Sequence, residues 1–242
     1  MTSKQILALS SSRVGNEAYL QSAAASIKIF LGTAPLQIAF IPFASVSKNY
    51  DQYIDDVRAA LKDLPYNIKL ADHHNAKSII EQSDAIMVGG GNTFKLLHDI
   101  YEAGILEIIQ DKINTGSPYI GWSAGANITA PTIGTTNDMP VIQPQSFKAL
   151  NVFPFQINPH YSNQKLEGFN GETRNQRLFE FINMNPSLKV VGLPEGTALQ
   201  LEGSALKFIG SHEGVLISAG KDNAEPATRQ IKPGEDVSFL LK

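Results

Sequence analysis

Along the first half of the chain, short apolar runs alternate with stretches whose apolar positions recur every three or four residues. The runs at 4–9, 36–41, 67–71, 84–88 and 118–122 read as strands. Between the second and third, Tyr50, Tyr53, Ile54, Val57, Leu61 and Leu64 recur at helical spacing, and Pro65 ends the pattern. Residues 93–113 form a similar helical connection, divided near Gly104. Strand, helix, strand, repeated in this way, predicts parallel strands joined by crossover helices.

From 129 to 171 the periodicity fades, and Pro131, Pro140, Pro144, Pro154 and Pro159 break any long element. Long irregular stretches inside a compact domain often carry function. Beyond it, Thr173 with Gln176 fits a capping box, and Leu178, Phe181 and Ile182 supply the apolar face of a further helix. Residues 189–193 read as another strand. From 198 onward the pattern is one of short antiparallel strands, with turns at Glu202-Gly203 and Glu213-Gly214. No internal repeat or low-complexity linker interrupts the chain, so one α/β domain spanning 1–242 is expected.

Composition narrows the function classes. The 242 residues are 43% hydrophobic and 18% charged, enough apolar material for a substantial core. A net charge of −3 without Lys/Arg clusters argues against nucleic-acid partners. The absence of cysteine excludes disulfides, a thiolate nucleophile and Cys-type metal sites. Near the N-terminus the only apolar run is 6–9, too short for a signal-peptide core or a membrane span, so a cytoplasmic location without membrane contact is expected. No H-E-x-x-H or comparable ligand spacing occurs, and no metal or other cofactor is expected.

The candidate chemistry centres on Gly121-Trp122-Ser123-Ala124-Gly125, a G-x-S-x-G pattern with an apolar strand before it and a helix-competent segment, 124–130, after it. A sharp strand-to-helix turn holds the serine at a strained corner, exposed above the strand ends, and aims the Ala124 N–H at the same point. Gly89-Gly90-Gly91-Asn92 follows the strand at 84–88 and precedes another helix, which makes the Gly91 N–H the second candidate oxyanion donor. Both glycine runs also fit ordinary tight turns. Of five histidines, His73 and His74 are adjacent on a predicted strand end, His98 falls in a helix and His212 in the tail. His160, in Asn158-Pro159-His160-Tyr161 after the apolar run 152–157, is the candidate general base. Two acids compete to orient it. Glu195 follows the strand at 189–193 and is preferred because a strand positions a group more rigidly than a loop; Asp138, in the irregular stretch, stays open. Arg174 opens a helix, where the macrodipole does not favour a cation, and its fork suits bidentate capture of a carboxylate.

These motifs, with Thr135-Thr136-Asn137-Asp138-Met139-Pro140, Gly171-Glu172-Thr173-Arg174 and Gly192-Leu193-Pro194-Glu195-Gly196, resemble peptidase E, the α-aspartyl dipeptidases, in one order over roughly 84–200. The resemblance implies a flavodoxin-like, class I glutamine amidotransferase-like three-layer fold and hydrolysis of dipeptides with an N-terminal aspartate. In that reading Ser123 is the nucleophile, His160 the base, Glu195 or Asp138 the acid, and Gly91 and Ala124 the oxyanion hole. Arg174 pairs with the substrate aspartate, Asn92 lies in the substrate site, and small peptides are the partners, with monomer and homodimer both open. A cyanophycinase-like hydrolase of other acidic peptides, or a non-catalytic binding protein on the same fold, are the competing readings.

Overall fold

The structure is a computed structural model that describes residues 3–165, 167–168, 170–220 and 224–242. The predicted N-terminal segment, irregular stretch and tail therefore include positions 1–2, 166, 169 and 221–223, which lie outside the described residues. In chain order the elements are β1 (Gln5–Leu9), α1 (Gln21–Leu31), β2 (Leu36–Ile41), α2 (Tyr50–Ala60), β3 (Tyr66–Leu70), α3 (Ala76–Glu81) and β4 (Ala85–Val88). There follow α4 (Thr93–Glu102), α5 (Leu106–Asn114), β5 (Tyr119–Trp122), α6 (Ala124–Asn127), β6 (Gln156–Pro159) and α7 (Arg174–Met184). The chain continues through β7 (Lys189–Leu193), β8 (Thr197–Glu202), β9 (Ala205–Gly210), β10 (Gly214–Ser218) and β11 (Ala227–Ile231) to a 3-10 turn at Ser238–Leu241.

The main sheet has seven strands in the order β3-β2-β4-β5-β1-β8-β9. Its first five are parallel, and β8 and β9 add antiparallel at one side. Alternation along each strand feeds two cores. Leu7, Leu9, Phe40, Met87 and Trp122 pack with α1 and α2 through Ile27, Phe30, Ile54 and Val57. Ile6, Ala8, Ile41, Val88 and Tyr119 face the other way, against Ile80, Leu96, Ile100 and Ile109 of α3 to α5. Because both faces are covered, the strands read as continuous apolar runs, the expected signature of a buried parallel sheet. The result is three layers with a mostly parallel centre.

Several boundaries differ from the sequence expectation. The helix after Ser123 stops at Asn127 instead of reaching 130. The i→i−4 ladder lapses there: Gly125 O accepts from Tyr119 Oη at 2.7 Å, and the Thr129 and Ala130 amides donate three residues back, to Ala126 O and Asn127 O. Helix α2 ends at Ala60, and Leu61 and Leu64 lie in a turn closed by the Leu64 N–H on Leu61 O. The break between α4 and α5 falls at Gly104, whose φ of 61° suits glycine. His73 and His74 lie in a turn after β3, where the Asp72 carboxylate accepts from the His74 and Asn75 amides, and not on a strand end.

The larger difference is a second sheet, ordered β11-β10-β7-β6, in which β6 and β7 run parallel. Strands β8 and β9 form the expected hairpin, but Glu213-Gly214 does not turn β9 back onto β10. There the chain crosses from one sheet to the other. Burial explains this: Val215 and Ile217 pack against Leu178 and Ile182 of α7, while Leu216 enters the main core. Strands β6 and β7 therefore deliver their carboxyl ends from a sheet beside the main one. Among the described residues, no helix is long and apolar enough to cross a membrane.

Candidate active site

Ser123 occupies the corner between β5 and α6 with φ 53° and ψ −111°, a conformation that non-glycine residues rarely adopt. The surroundings over-determine it. Its N–H donates to Leu9 O at 3.1 Å, and a Cβ on Gly125 would drive into the Val88 carbonyl, as one on Gly121 would into Gly125 O. The two flanking glycines are thus required by close backbone approach, which is why the five-residue pattern is legible at all.

His160 follows β6, also at positive φ (51°), and its Nε2 lies 2.9 Å from Ser123 Oγ. Its Nδ1 lies 2.8 Å from Glu195 Oε1, just beyond β7. Parallel pairing of β6 and β7 aligns Pro159 with Leu193, and so brings the two following side chains together. Ser10, directly after β1, ties this assembly to the main sheet. It accepts from the His160 N–H at 3.0 Å and donates to Leu193 O at 2.7 Å. The His160 and Glu195 side chains remain 42% and 48% exposed, so their interaction is screened by solvent and acts on geometry more than on stability.

Asp138 is placed differently. Its Oδ2 accepts from Thr93 N at 2.7 Å, Thr93 Oγ1 at 2.6 Å and Thr136 Oγ1 at 3.1 Å, which seats it at the start of α4. Of the two acids expected to compete for His160, Glu195 is the one in contact with it. The remainder of the Thr135–Pro140 motif holds β6: Thr135 Oγ1 donates to Ile157 O and Asn137 Nδ2 to Pro159 O, and Asn158 Nδ2 donates to Asn137 Oδ1.

Gly91 has φ 136°, and a Cβ there would collide with the Ala44 carbonyl, so this position also demands glycine. Among the described residues, the Gly91 and Ala124 N–H groups have no acceptor in the protein. Two open amides beside a strained serine suit a developing oxyanion. Asn92 has a structural duty besides lining the cavity. Its Oδ1 accepts from Lys95 N to cap α4, and its Nδ2 donates to Met139 O.

Ser123, His160, Asp138, Gly91 and Asn92 line one cavity of about 730 Å³. Sequence reasoning missed others on its wall, among them Arg13, Tyr19, Tyr53 and Asp56. The polar run Ser10-Ser11-Ser12 after the first strand was the available signal, since open α/β sheets build sites where parallel strands end. Arg174 does not line this cavity. It caps a separate space of about 230 Å³ with Lys165 and Arg177, and its Nη1 donates to Asn158 Oδ1 at 3.2 Å. Partial burial, with the neighbouring Arg177 charge, pulls the pKa of Arg174 down from its ordinary value. Glu195 and His160 also border a third space with His212.

Fold and site together define a class: an α/β protein with the nucleophile-elbow geometry of serine hydrolases. The chain belongs to Peptidase family S51, whose profile matches residues 6–209. It is 46% identical over 242 residues to the Peptidase E of Nostoc sp. (strain PCC 7120), covering 99% of this chain and 98% of that one. A solved structure from Listeria monocytogenes EGD-e superposes with TM-score 0.66 at 24% identity, covering 87% of this chain and all of its own. A peptidase from an acI-B1 Actinobacterium superposes with TM-score 0.65 at 17% identity, covering 98% of this chain and 97% of its own. These likenesses show the fold, which is of the flavodoxin-like type.

Proposed function

We propose that this family S51 peptidase is a serine dipeptidase that removes an N-terminal aspartate from Asp-Xaa substrates. The reading rests above all on the hydrogen-bonded run from Ser123 Oγ through His160 to Glu195, at 2.9 and 2.8 Å. Ser123 Oγ attacks the peptide carbonyl while His160 Nε2 takes its proton. The carbonyl oxygen, now negative, is received by the Gly91 and Ala124 amides, each donor of this kind being worth about 10²–10³ in rate. His160 then returns the proton to the leaving amine, and the acyl-enzyme is hydrolysed by water activated at the same nitrogen. Glu195 holds the tautomer that keeps Nε2 unprotonated toward Ser123 and stabilises the imidazolium as it forms.

Asp138, fixed by Thr93 and Thr136 beside the cavity, is assigned to the substrate ammonium. Arg174 is assigned to the aspartate side chain, which requires its guanidinium to turn from Asn158 to the substrate. One assay tests the reading: hydrolysis of Asp-Leu, Glu-Leu and Ala-Leu by the wild type, Ser123→Ala and Arg174→Ala. Asp-Leu should be preferred, Ser123→Ala should abolish turnover, and Arg174→Ala should slow Asp-Leu far more than Ala-Leu. Equal rates with and without the Ser123 hydroxyl would overturn the mechanism, and a uniform loss in Arg174→Ala would return that residue to structure.

A further inference from the structure

The dipeptidase reading leaves one charge of its substrate without a partner. An Asp-Xaa dipeptide carries an ammonium, a side-chain carboxylate and, one residue beyond the scissile bond, a terminal carboxylate. Among the described residues, Arg13 is the one Lys or Arg that lines the cavity holding Ser123 and His160. Its guanidinium forms no ion pair with any described carboxylate. Nor is it simply loose. It lies over the Tyr19 ring at 5.5 Å, and the Tyr19 hydroxyl accepts from Trp122 Nε1 at 3.0 Å, the residue before Ser123. The backbone beneath is held by Ser11 Oγ on Arg13 O at 2.7 Å. An arginine stacked on an anchored ring, with its fork unspent, is preorganised for a planar anion.

Strand order says which carboxylate. Strand β5, which carries Ser123, lies between β4 and β1. The β4 side supplies Gly91 and, docked on the start of α4, Asp138. The β1 side supplies Ser10 and Arg13, and His160 is tied to this side through its N–H on Ser10 Oγ. A base that returns its proton to the leaving amine has the leaving residue on its own side. The acyl residue therefore falls toward β4 and Asp138, and the leaving residue toward β1. One residue of extended chain spans only about 3.5 Å, so its terminal carboxylate ends within the same cavity.

We propose that Arg13 is a specificity-determining residue that binds the C-terminal carboxylate of the leaving residue and so restricts the enzyme to dipeptides. This rests on the dipeptidase reading above. The test measures kcat and KM for Asp-Leu and for its C-terminal amide, in wild type, Arg13→Ala and Arg13→Lys, with Ser123→Ala as the blank. A lost charge-assisted hydrogen bond is worth about ten- to hundredfold. Arg13→Ala should lose about that much kcat/KM on Asp-Leu, mostly through KM, and far less on the amide, so that the wild-type preference for the free acid collapses. Arg13→Lys, keeping charge without the fork, should recover part of it. An equal loss on both substrates, or no loss on Asp-Leu, overturns the role of Arg13 while leaving the dipeptidase reading intact. Ser123-independent or absent hydrolysis of both substrates by the wild type would overturn that reading, and the Arg13 role with it.

Discussion

Two carboxylates stand near one histidine, and their environments assign them different work. Glu195 meets His160 Nδ1 directly, whereas three hydroxyl and amide donors engage one Asp138 oxygen at the start of α4. Replacing Glu195 by Gln should therefore cost kcat, by about 10²–10⁴ for a residue that fixes the tautomer of a catalytic histidine. Asp138→Asn should instead raise KM, since it weakens the site assigned to the ammonium, and lower kcat less. Steady-state kinetics on Asp-Leu separate the two; if Asp138→Asn is the variant that loses kcat while Glu195→Gln keeps it, the acid's role passes to Asp138. The sequence showed both acids and could not rank them by contact, because neither lies within 20 residues of His160 and only the pairing of β6 with β7 brings Glu195 across.

At the scale of elements, the glycines around Ser123 make the corner possible. Adding a methyl at Gly125 pushes against the Val88 carbonyl, which belongs to the neighbouring β4 and cannot retreat without disturbing the sheet. Gly125→Ala should destabilise the protein by about 1–3 kcal/mol, as overpacking does, and also lower turnover by shifting the Ala124 amide. Thermal unfolding alongside kcat would check this, and normal values of both would show that α6 tolerates the displacement. The two glycines were legible as a short motif; Gly121 is required by a local approach to Gly125 O, whereas the carbonyl that excludes a Cβ at Gly125 comes from the neighbouring strand. The length of α6 was not legible, since 128–130 has helix-competent composition and leaves the helical ladder where Tyr119 Oη of β5 takes the Gly125 carbonyl and the next amides bond three residues back.

Across the whole molecule, α4 is braced against the loop after β2 by a buried cluster. Lys95 Nζ donates to Asp99 Oδ2 at 2.6 Å, to Phe43 O at 2.9 Å and to Tyr50 Oη at 3.0 Å, while His73 and His98 lie against the same carboxylate. Burial alone would raise the Asp99 pKa. Hydrogen bonds from Lys95 and His98, with the nearby Lys95 and His73 charges, outweigh burial and hold it below its ordinary 3.8. Its contribution is thus present above pH 3.8 and is lost as pH falls through the lower folded value. Lys95→Met should cost about 3 kcal/mol at neutral pH, because it strands a buried carboxylate, and the cost should shrink as acid protonates Asp99, whose pKa burial raises once Lys95 is gone. Urea unfolding as a function of pH measures this; a neutral-pH midpoint equal to wild type would mean that the histidines suffice.

By itself the sequence determined the alternation of strand and helix, the corner at Ser123, the glycine loop at Gly91 and the candidate set His160, Glu195, Asp138 and Arg174. Each of these depends on period, backbone sterics or a short motif, all properties of neighbouring residues. Only the tertiary structure decided that β6 and β7 form a second sheet, that Glu195 and not Asp138 touches His160, that Arg174 opens onto a separate cavity, and that Arg13 lines the cavity that holds Ser123. Those outcomes depend on which strands become neighbours, and strand order is set by which apolar faces are buried together across the whole molecule, a condition that no local pattern expresses.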